Sequence, residues 1–140
     1  MKKIILKSNS SRFLRGVLLV AGIYNLVWGA AVIIFPNFIF NLAKMPPPMY
    51  PFIWQCVGMI VGVYGIGYYL ASKSPETHWP IVFVGLLGKI LGPIGFLQAL
   101  ILERFSPLFG WVILTNDLIW WVPFGHILWV VFENSKVKEV

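Results

Sequence analysis

Four long runs of apolar residues, separated by short polar or proline-rich stretches, dominate the pattern of this chain. They cover residues 13–35, 52–71, 79–102 and 108–132. Each is close to the roughly 20 residues that an α-helix needs to cross the hydrocarbon core of a bilayer. Backbone that faces lipid must satisfy its own hydrogen bonds, which favours helices. The pattern therefore predicts an all-α fold, a four-helix transmembrane bundle, formed by a single integral membrane domain over residues 1–140.

Prolines, which end or kink helices, mark the breaks between these runs. They are Pro36, Pro46, Pro47, Pro48, Pro51, Pro75 and Pro107. Because the second and third loops are short, we expect the second, third and fourth helices to be antiparallel neighbours in an up-and-down bundle. Residues 37–44 are apolar and aromatic but too few to cross, and we predict that they lie flat at the membrane interface.

Composition and charge add a location and an orientation. Hydrophobic residues make up 59% of the chain and charged residues 11%, against about 25% charged in a soluble domain. Eight of the eleven basic residues lie before or at the start of the first run, in the second loop, or after the fourth run. The positive-inside rule then predicts cytoplasmic termini and a multi-pass protein of the cell (inner) membrane. Anionic lipid headgroups account for the net charge of +6 without any nucleic acid.

Two ionisable side chains are predicted at mid-membrane. Lys89 lies about ten residues into the third run, where a charge costs at least about 2.5 kcal/mol. If the third and fourth runs form a hairpin around Arg104, Asp117 lies one helical turn from Lys89 in depth, and it is the only acidic residue in any run. We predict a Lys89–Asp117 ion pair, direct or through water.

Two prolines lie close to this pair. Pro93 removes the N–H that would bond the carbonyl of Lys89, and Pro123 does the same to the carbonyl of Ile119. We predict that water, the lysine ammonium or a ligand uses these carbonyls. The expected result is a polar mid-membrane pocket with aromatic walls. Its predicted ligand-binding residues are Lys89, Asp117, Asn116, Tyr24, Asn25, Tyr64, Trp120 and Trp121.

Glycines suggest where helices come close together. The third run places four glycines on one helical face, and the second run carries Gly58 and Gly62 four residues apart. Small residues allow close backbone contact in lipid. We predict a tight contact between the second and third helices. A contact between two copies of the chain and space for a ligand are the alternatives.

The chain offers little for recognised catalysis or metal binding. It has one cysteine and two histidines, and it lacks the common nucleotide-binding, nucleophile and zinc-protease motifs. His78 and His126 differ in predicted depth by about 9 Å, which favours ordinary histidines over a pair of haem ligands. We therefore assign no catalytic residue, no metal and no cofactor.

Residues 78–82 (HWPIV), 84–89 (VGLLGK), 92–96 (GPIGF) and 116–124 (NDLIWWVPF) resemble small bacterial four-span membrane proteins that carry no assigned activity. This resemblance covers residues 22–129. It implies a four-span membrane fold and supplies no mechanism. In size and helix number the chain is also similar to the DoxX-like proteins. That similarity implies a small membrane subunit of the kind sometimes tied to quinone-linked redox systems.

Three functional hypotheses follow. The first is a non-catalytic module that binds a lipid or quinone-like ligand or serves as an accessory subunit, as a homodimer or in a larger membrane complex. The second is a small proton-coupled carrier that uses Lys89 and Asp117. The third is a membrane enzyme acting on a lipid or quinone, with Asp117 or His126 as acid or base. A purely structural role for the Lys89–Asp117 pair stands beside all three.

Overall fold

The computed structural model of the chain describes residues 8–136, and this part of the chain contains helices and no strands. The first three long helices and one short helix are α1 (Ser8–Ile34), α2 (Phe38–Leu42), α3 (Pro51–Lys73) and α4 (Trp79–Ile101). The last span begins with a 3-10 turn and continues through a π-helical turn. Its parts are Pro107–Phe109, α5 (Gly110–Ile113), the π-helical turn Leu114–Leu118 and α6 (Ile119–Lys136).

Four segments are long and apolar enough to cross a membrane: Arg12–Ile34, Pro51–Lys73, Trp79–Ile101 and Pro107–Asn134. The predicted all-α, four-helix fold is confirmed, and the chain is a small multi-pass membrane protein. Large apolar side chains cover the outside of the bundle, as on Val122, which is 81% exposed. Such a surface is stable when lipid covers it.

The helix ends follow from local chemistry. Pro51 opens α3, and Pro80 lies in the first turn of α4, where a missing N–H costs nothing. Lys44 and Glu103 adopt left-handed backbone conformations, with φ of 52° and 53°, immediately beyond the ends of α2 and α4. The Ser106 hydroxyl accepts a hydrogen bond from the backbone N–H of Leu108 at 3.3 Å and starts the last span.

The closest helix contact joins α1 to α3 through four glycines, which we call the glycine seam: Gly22, Gly29, Gly58 and Gly65. A Cβ placed on Gly22 would lie 2.9 Å from the carbonyl oxygen of Gly65, and one on Gly29 would lie 2.5 Å from that of Gly58. α3 packs on α4 far less than on α1, so the predicted tight contact between the second and third spans is wrong. Each helix of the seam carries its two glycines seven residues apart, so two matched faces meet and the backbones come into contact.

Two apolar clusters fill the bundle, one at each end. The cluster nearer the start of α1 contains Leu14, Tyr68 and Phe124. The other contains Val32 and Phe109. Between them, α4 packs mainly on α6 and the π-helical turn and touches α3 less. This looser α3–α4 contact leaves room for the cavity described below.

The segment predicted to lie at the interface forms α2, which packs on the end of the bundle. Ile39 and Phe40 are buried, and the Phe40 ring lies 5.2 Å from the ring of Trp54. Phe38 and Leu42 point outward. Two of the five residues of this short helix therefore belong to the protein core, and Phe38 and Leu42 present apolar side chains outward.

Candidate functional site

A cavity of about 280 Å³ lies halfway along α3 and α4, and we call it the mid-membrane cavity. Ten residues from α3, α4 and the π-helical turn line it: Ile60, Val61, Tyr64, Tyr68, Gly85, Gly88, Lys89, Gly92, Asn116 and Asp117. Four of the eight predicted ligand-binding residues are among them, namely Lys89, Asp117, Asn116 and Tyr64. The depth argument from sequence thus places these four at one site.

Lys89 and Asp117 are both buried, with 6% and 7% of their surface exposed. The Lys89 ammonium donates a hydrogen bond to the backbone carbonyl of Asn116 and lies 5.8 Å from the ring centre of Trp120. In the described part of the chain it makes no direct ion pair with Asp117. The direct form of the predicted pair is therefore not found, because the ammonium takes a backbone carbonyl instead; a link through water stays a prediction.

The Asp117 carboxylate faces α4 beside Gly92. A Cβ on Gly92 would lie 3.2 Å from Asp117 Oδ2, so glycine at this position leaves room for the carboxylate. Oδ1 accepts a long hydrogen bond of 3.4 Å from the Asn116 side-chain amide. Among residues 12–134, no donor bonds Oδ2. The carboxylate therefore keeps an oxygen available to whatever occupies the cavity.

The carbonyl of Lys89, which Pro93 deprives of its helical donor, has a side-chain partner. The indole N–H of Trp121 donates to it at 2.8 Å. The sequence argument proposed water, the ammonium or a ligand for this role, and the donor is instead a tryptophan from α6. Trp121 is thus a bridge between α4 and α6 and does not line the cavity.

The π-helical turn Leu114–Leu118 determines where Asn116 and Asp117 point. The backbone N–H of Ile119 reaches the carbonyl of Leu114, five residues back, so the turn is wider than in an α-helix. Two carbonyls of this turn accept side-chain donors: Thr115 from the Trp120 indole at 3.2 Å, and Asn116 from Lys89. The sequence analysis missed the turn, and the nearest signal is Pro123, one turn later.

The other three predicted residues are not among those that line the cavity. The Tyr24 ring packs 5.6 Å from the ring of Trp120, and Trp120 itself is 7% exposed. Asn25 is 3% exposed, and its Oδ1 has no hydrogen-bond partner in the described structure. Trp120 therefore faces the Lys89 ammonium and Tyr24 packs on Trp120, whereas Asn25 is buried in α1, and none of the three lines the cavity.

Tyr68 is a lining residue that the sequence analysis did not include. It is 1% exposed, and its ring packs edge-on against Phe124 at 5.0 Å. Gly85 lies against this ring, since a Cβ there would lie 2.8 Å from two ring carbons. Tyr68 follows Tyr64 by one helical turn, so the spacing of the two tyrosines was the available signal.

The mid-membrane cavity combines one cation, one anion and two phenol rings. The opposite charges of Lys89 and Asp117 balance, and the ammonium has two further N–H donors besides the one given to Asn116. The carboxylate accepts hydrogen bonds only. This arrangement suits a neutral polar group that both accepts and donates hydrogen bonds.

Metal-binding chemistry is not indicated by the described residues, which contain no group of three or more His, Cys, Asp or Glu side chains suited to hold an ion. His78 Nδ1 lies 3.0 Å from the carbonyl oxygen of Ser74. The His126 ring packs against Phe13 at 5.9 Å. Each histidine thus has its own local neighbours.

Comparison with known proteins adds no relative: no family model, no curated protein and no solved structure matches the chain. The functional argument therefore depends on the geometry of the mid-membrane cavity.

Proposed function

We propose that this protein is a non-catalytic membrane module that binds the polar head of a lipid or quinone-like molecule in the mid-membrane cavity. The observation that carries the proposal is the placement of Lys89 and Asp117. Both are more than nine-tenths buried and both line the same cavity, and the described structure has no direct ion pair between them. The resemblance to small four-span and DoxX-like proteins is part of the same proposal.

A purely structural pair would have a different geometry. Removing two charges from water is costly, and a close, well-bonded pair offsets much of that cost. Here the ammonium bonds a backbone carbonyl, and the cavity extends beside both groups. A ligand that bonds both groups would supply the compensation that a direct pair would otherwise provide.

The chemistry of the lining favours a neutral head. An anionic head would satisfy Lys89 but repel Asp117, and a cationic head would do the reverse. A quinol hydroxyl can accept a hydrogen bond from the Lys89 ammonium and donate one to the Asp117 carboxylate, whereas a quinone carbonyl can only accept and so bonds the ammonium alone. The volume of about 280 Å³ lies just below the usual range for ligand pockets, so it suits a single ring or a comparable polar head.

A binding experiment tests this proposal with decyl-benzoquinol, a quinol with a ten-carbon tail that is kept reduced by excess reductant, on purified protein in lipid nanodiscs. We expect Lys89→Met and Asp117→Asn each to weaken binding by about 10- to 100-fold, because each removes a charged hydrogen-bonding group. The matched controls are Lys73→Met and Glu103→Gln, at exposed positions outside the cavity. Both controls should bind like the unmodified protein.

Helical content and thermal unfolding of each variant show whether the fold is intact. Unchanged binding in folded Lys89→Met and Asp117→Asn protein would contradict the proposal. Equal losses in the cavity variants and in the surface controls would contradict it as well, because the effect would then not belong to the cavity.

A further inference from the structure

The mid-membrane cavity is closed at its inner end and exposed at its outer end. Lys89, Asp117 and Tyr68 at the inner end are all less than 8% exposed. At the other end, Gly88 and Gly92 are exposed and Ile60 is 58% exposed. The cavity therefore has an opening between α3 and α4.

The remaining sides of the cavity are packed. Behind α3, the glycine seam brings the backbones of α1 and α3 into contact. On the α6 side, Trp120 and Phe124 are buried in the apolar cluster that also contains Val82. Toward the far end of α4, Phe96 packs against the second cluster. The gap beside Gly88 is therefore the route that the described packing leaves to the surface.

The depth of this gap decides which medium it faces. Gly88 lies nine residues after the start of α4 at Trp79 and thirteen before its end at Ile101. At 1.5 Å per residue these spacings correspond to about 14 Å and 20 Å along the helix. The gap thus lies within the roughly 30 Å hydrocarbon layer and away from either water phase.

We infer that the mid-membrane cavity opens sideways into the bilayer at Gly88, so that its ligand is a long-chain amphiphile that keeps its apolar tail in the lipid. The inference deepens the proposed function and rests on it for the head group. A volume of about 280 Å³ holds a small head but not a long chain as well. Gly88 leaves space at the gap, since no atom lies within 4 Å of a Cβ placed there.

The opening itself can be tested without any ligand. A nitroxide spin label is attached to Gly88→Cys in a Cys56→Ser background, because Cys56 is exposed and would also react. Reference labels are placed at Val122→Cys, on the exposed face of α6, and at Arg104→Cys, in a loop. The protein is measured in lipid vesicles with dissolved oxygen and with a water-soluble nickel chelate as relaxation agents.

We expect the label at Gly88→Cys to respond like that at Val122→Cys, with strong relaxation by oxygen and little by the nickel chelate. Strong relaxation by the nickel chelate would overturn the inference, because the cavity would then open to water. Weak relaxation by both agents would also overturn it, because the gap would then be closed.

Filling the gap provides the matching variant test. Gly88→Leu should weaken decyl-benzoquinol binding about tenfold, because the side chain occupies the opening. The control is Gly125→Leu on α6, where a Cβ also meets no atom within 4 Å. Equal binding by Gly88→Leu and the control would overturn the inference. Absence of binding by the unmodified protein would contradict the proposed quinone-like ligand, whereas the spin-label result would still decide whether the cavity opens to lipid.

Discussion

Trp121 and Pro93 show how single residues hold the site together. Proline at position 93 leaves the Lys89 carbonyl without its helical donor, and the Trp121 indole bonds that carbonyl at 2.8 Å. The same lysine side chain bonds the carbonyl of Asn116. Lys89 is thus bound to the last span through both its backbone and its side chain, and its ammonium is held at the cavity wall.

The Trp121 hydrogen bond should stabilise the bundle only when Pro93 is present. We expect Trp121→Phe to lower the free energy of unfolding by about 0.5–1.5 kcal/mol. In a Pro93→Ala background the cost should fall toward zero, because alanine restores the N–H that bonds the Lys89 carbonyl. Equilibrium unfolding in mixed micelles of the four proteins gives the coupling energy.

Trp129→Phe is the control for this cycle, since Trp129 is 62% exposed on the same helix. An additive result for Trp121→Phe and Pro93→Ala would contradict the assigned role of the indole.

Two elements carry most of the architecture: the glycine seam between α1 and α3, and the π-helical turn in the last span. Lipid tails are as apolar as the side chains they surround, so apolar side chains gain nothing by moving from lipid into a helix contact. Close backbone contact therefore has to supply the attraction between helices. The seam supplies it for α1 and α3. The π-helical turn directs Asn116 and Asp117 toward α4. Because α3 packs less closely on α4 than on α1, the cavity forms between α3, α4 and this turn.

A methyl group in the glycine seam should separate α1 from α3. We expect Gly29→Ala to destabilise the protein by about 1–3 kcal/mol, because its Cβ would lie 2.5 Å from the carbonyl oxygen of Gly58. Gly16→Ala on the same helix is the control. It meets no atom within 4 Å and should be neutral or stabilising by up to about 1 kcal/mol.

Thermal unfolding of the two alanine variants in the same detergent is the measurement. A loss in Gly16→Ala as large as that in Gly29→Ala would show that the effect belongs to the loss of glycine and not to the seam.

At the scale of the whole molecule, the even number of spans places the start of α1 and the end of α6 on the same side of the membrane. Arg12, Arg15 and Lys73 lie at that end, because α1 and α3 are antiparallel across the glycine seam. Lys2, Lys3, Lys7 and Lys138, which also entered the prediction of orientation, lie outside the described residues. The cytoplasmic position of this end remains a prediction from the positive-inside rule.

Labelling of single cysteines in intact cells tests the orientation. In a Cys56→Ser background, Arg104→Cys should react with an impermeant maleimide added outside. Lys73→Cys should react only after the membrane is permeabilised. Lys73 ends α3 shortly before α4 begins, and Arg104 lies in the loop after α4, so the two residues lie at opposite ends of the bundle. The reverse pattern would contradict the predicted orientation.

Much of the fold could be predicted from the sequence, and half of the eight predicted site residues line the cavity. The number of spans and the level of Lys89, Asp117, Asn116 and Tyr64 follow from helix length and rise, which are local properties. The other predicted wall residues, which are Tyr24, Asn25, Trp120 and Trp121, are not among those that line the cavity. Depth along an axis is readable from sequence spacing, whereas rotation of a helix about its axis is not.

The sequence by itself determined that four apolar helices cross a membrane and that an ammonium and a carboxylate lie near the same depth. The tertiary structure alone decided that α1 packs on α3, that a π-helical turn reorients Asn116, and that Lys89 and Asp117 line one cavity without a direct ion pair. The reason is that lipid is as apolar as a protein core, so the residues of lipid-facing and protein-facing sides look alike in the sequence. Only the packed helices distinguish them.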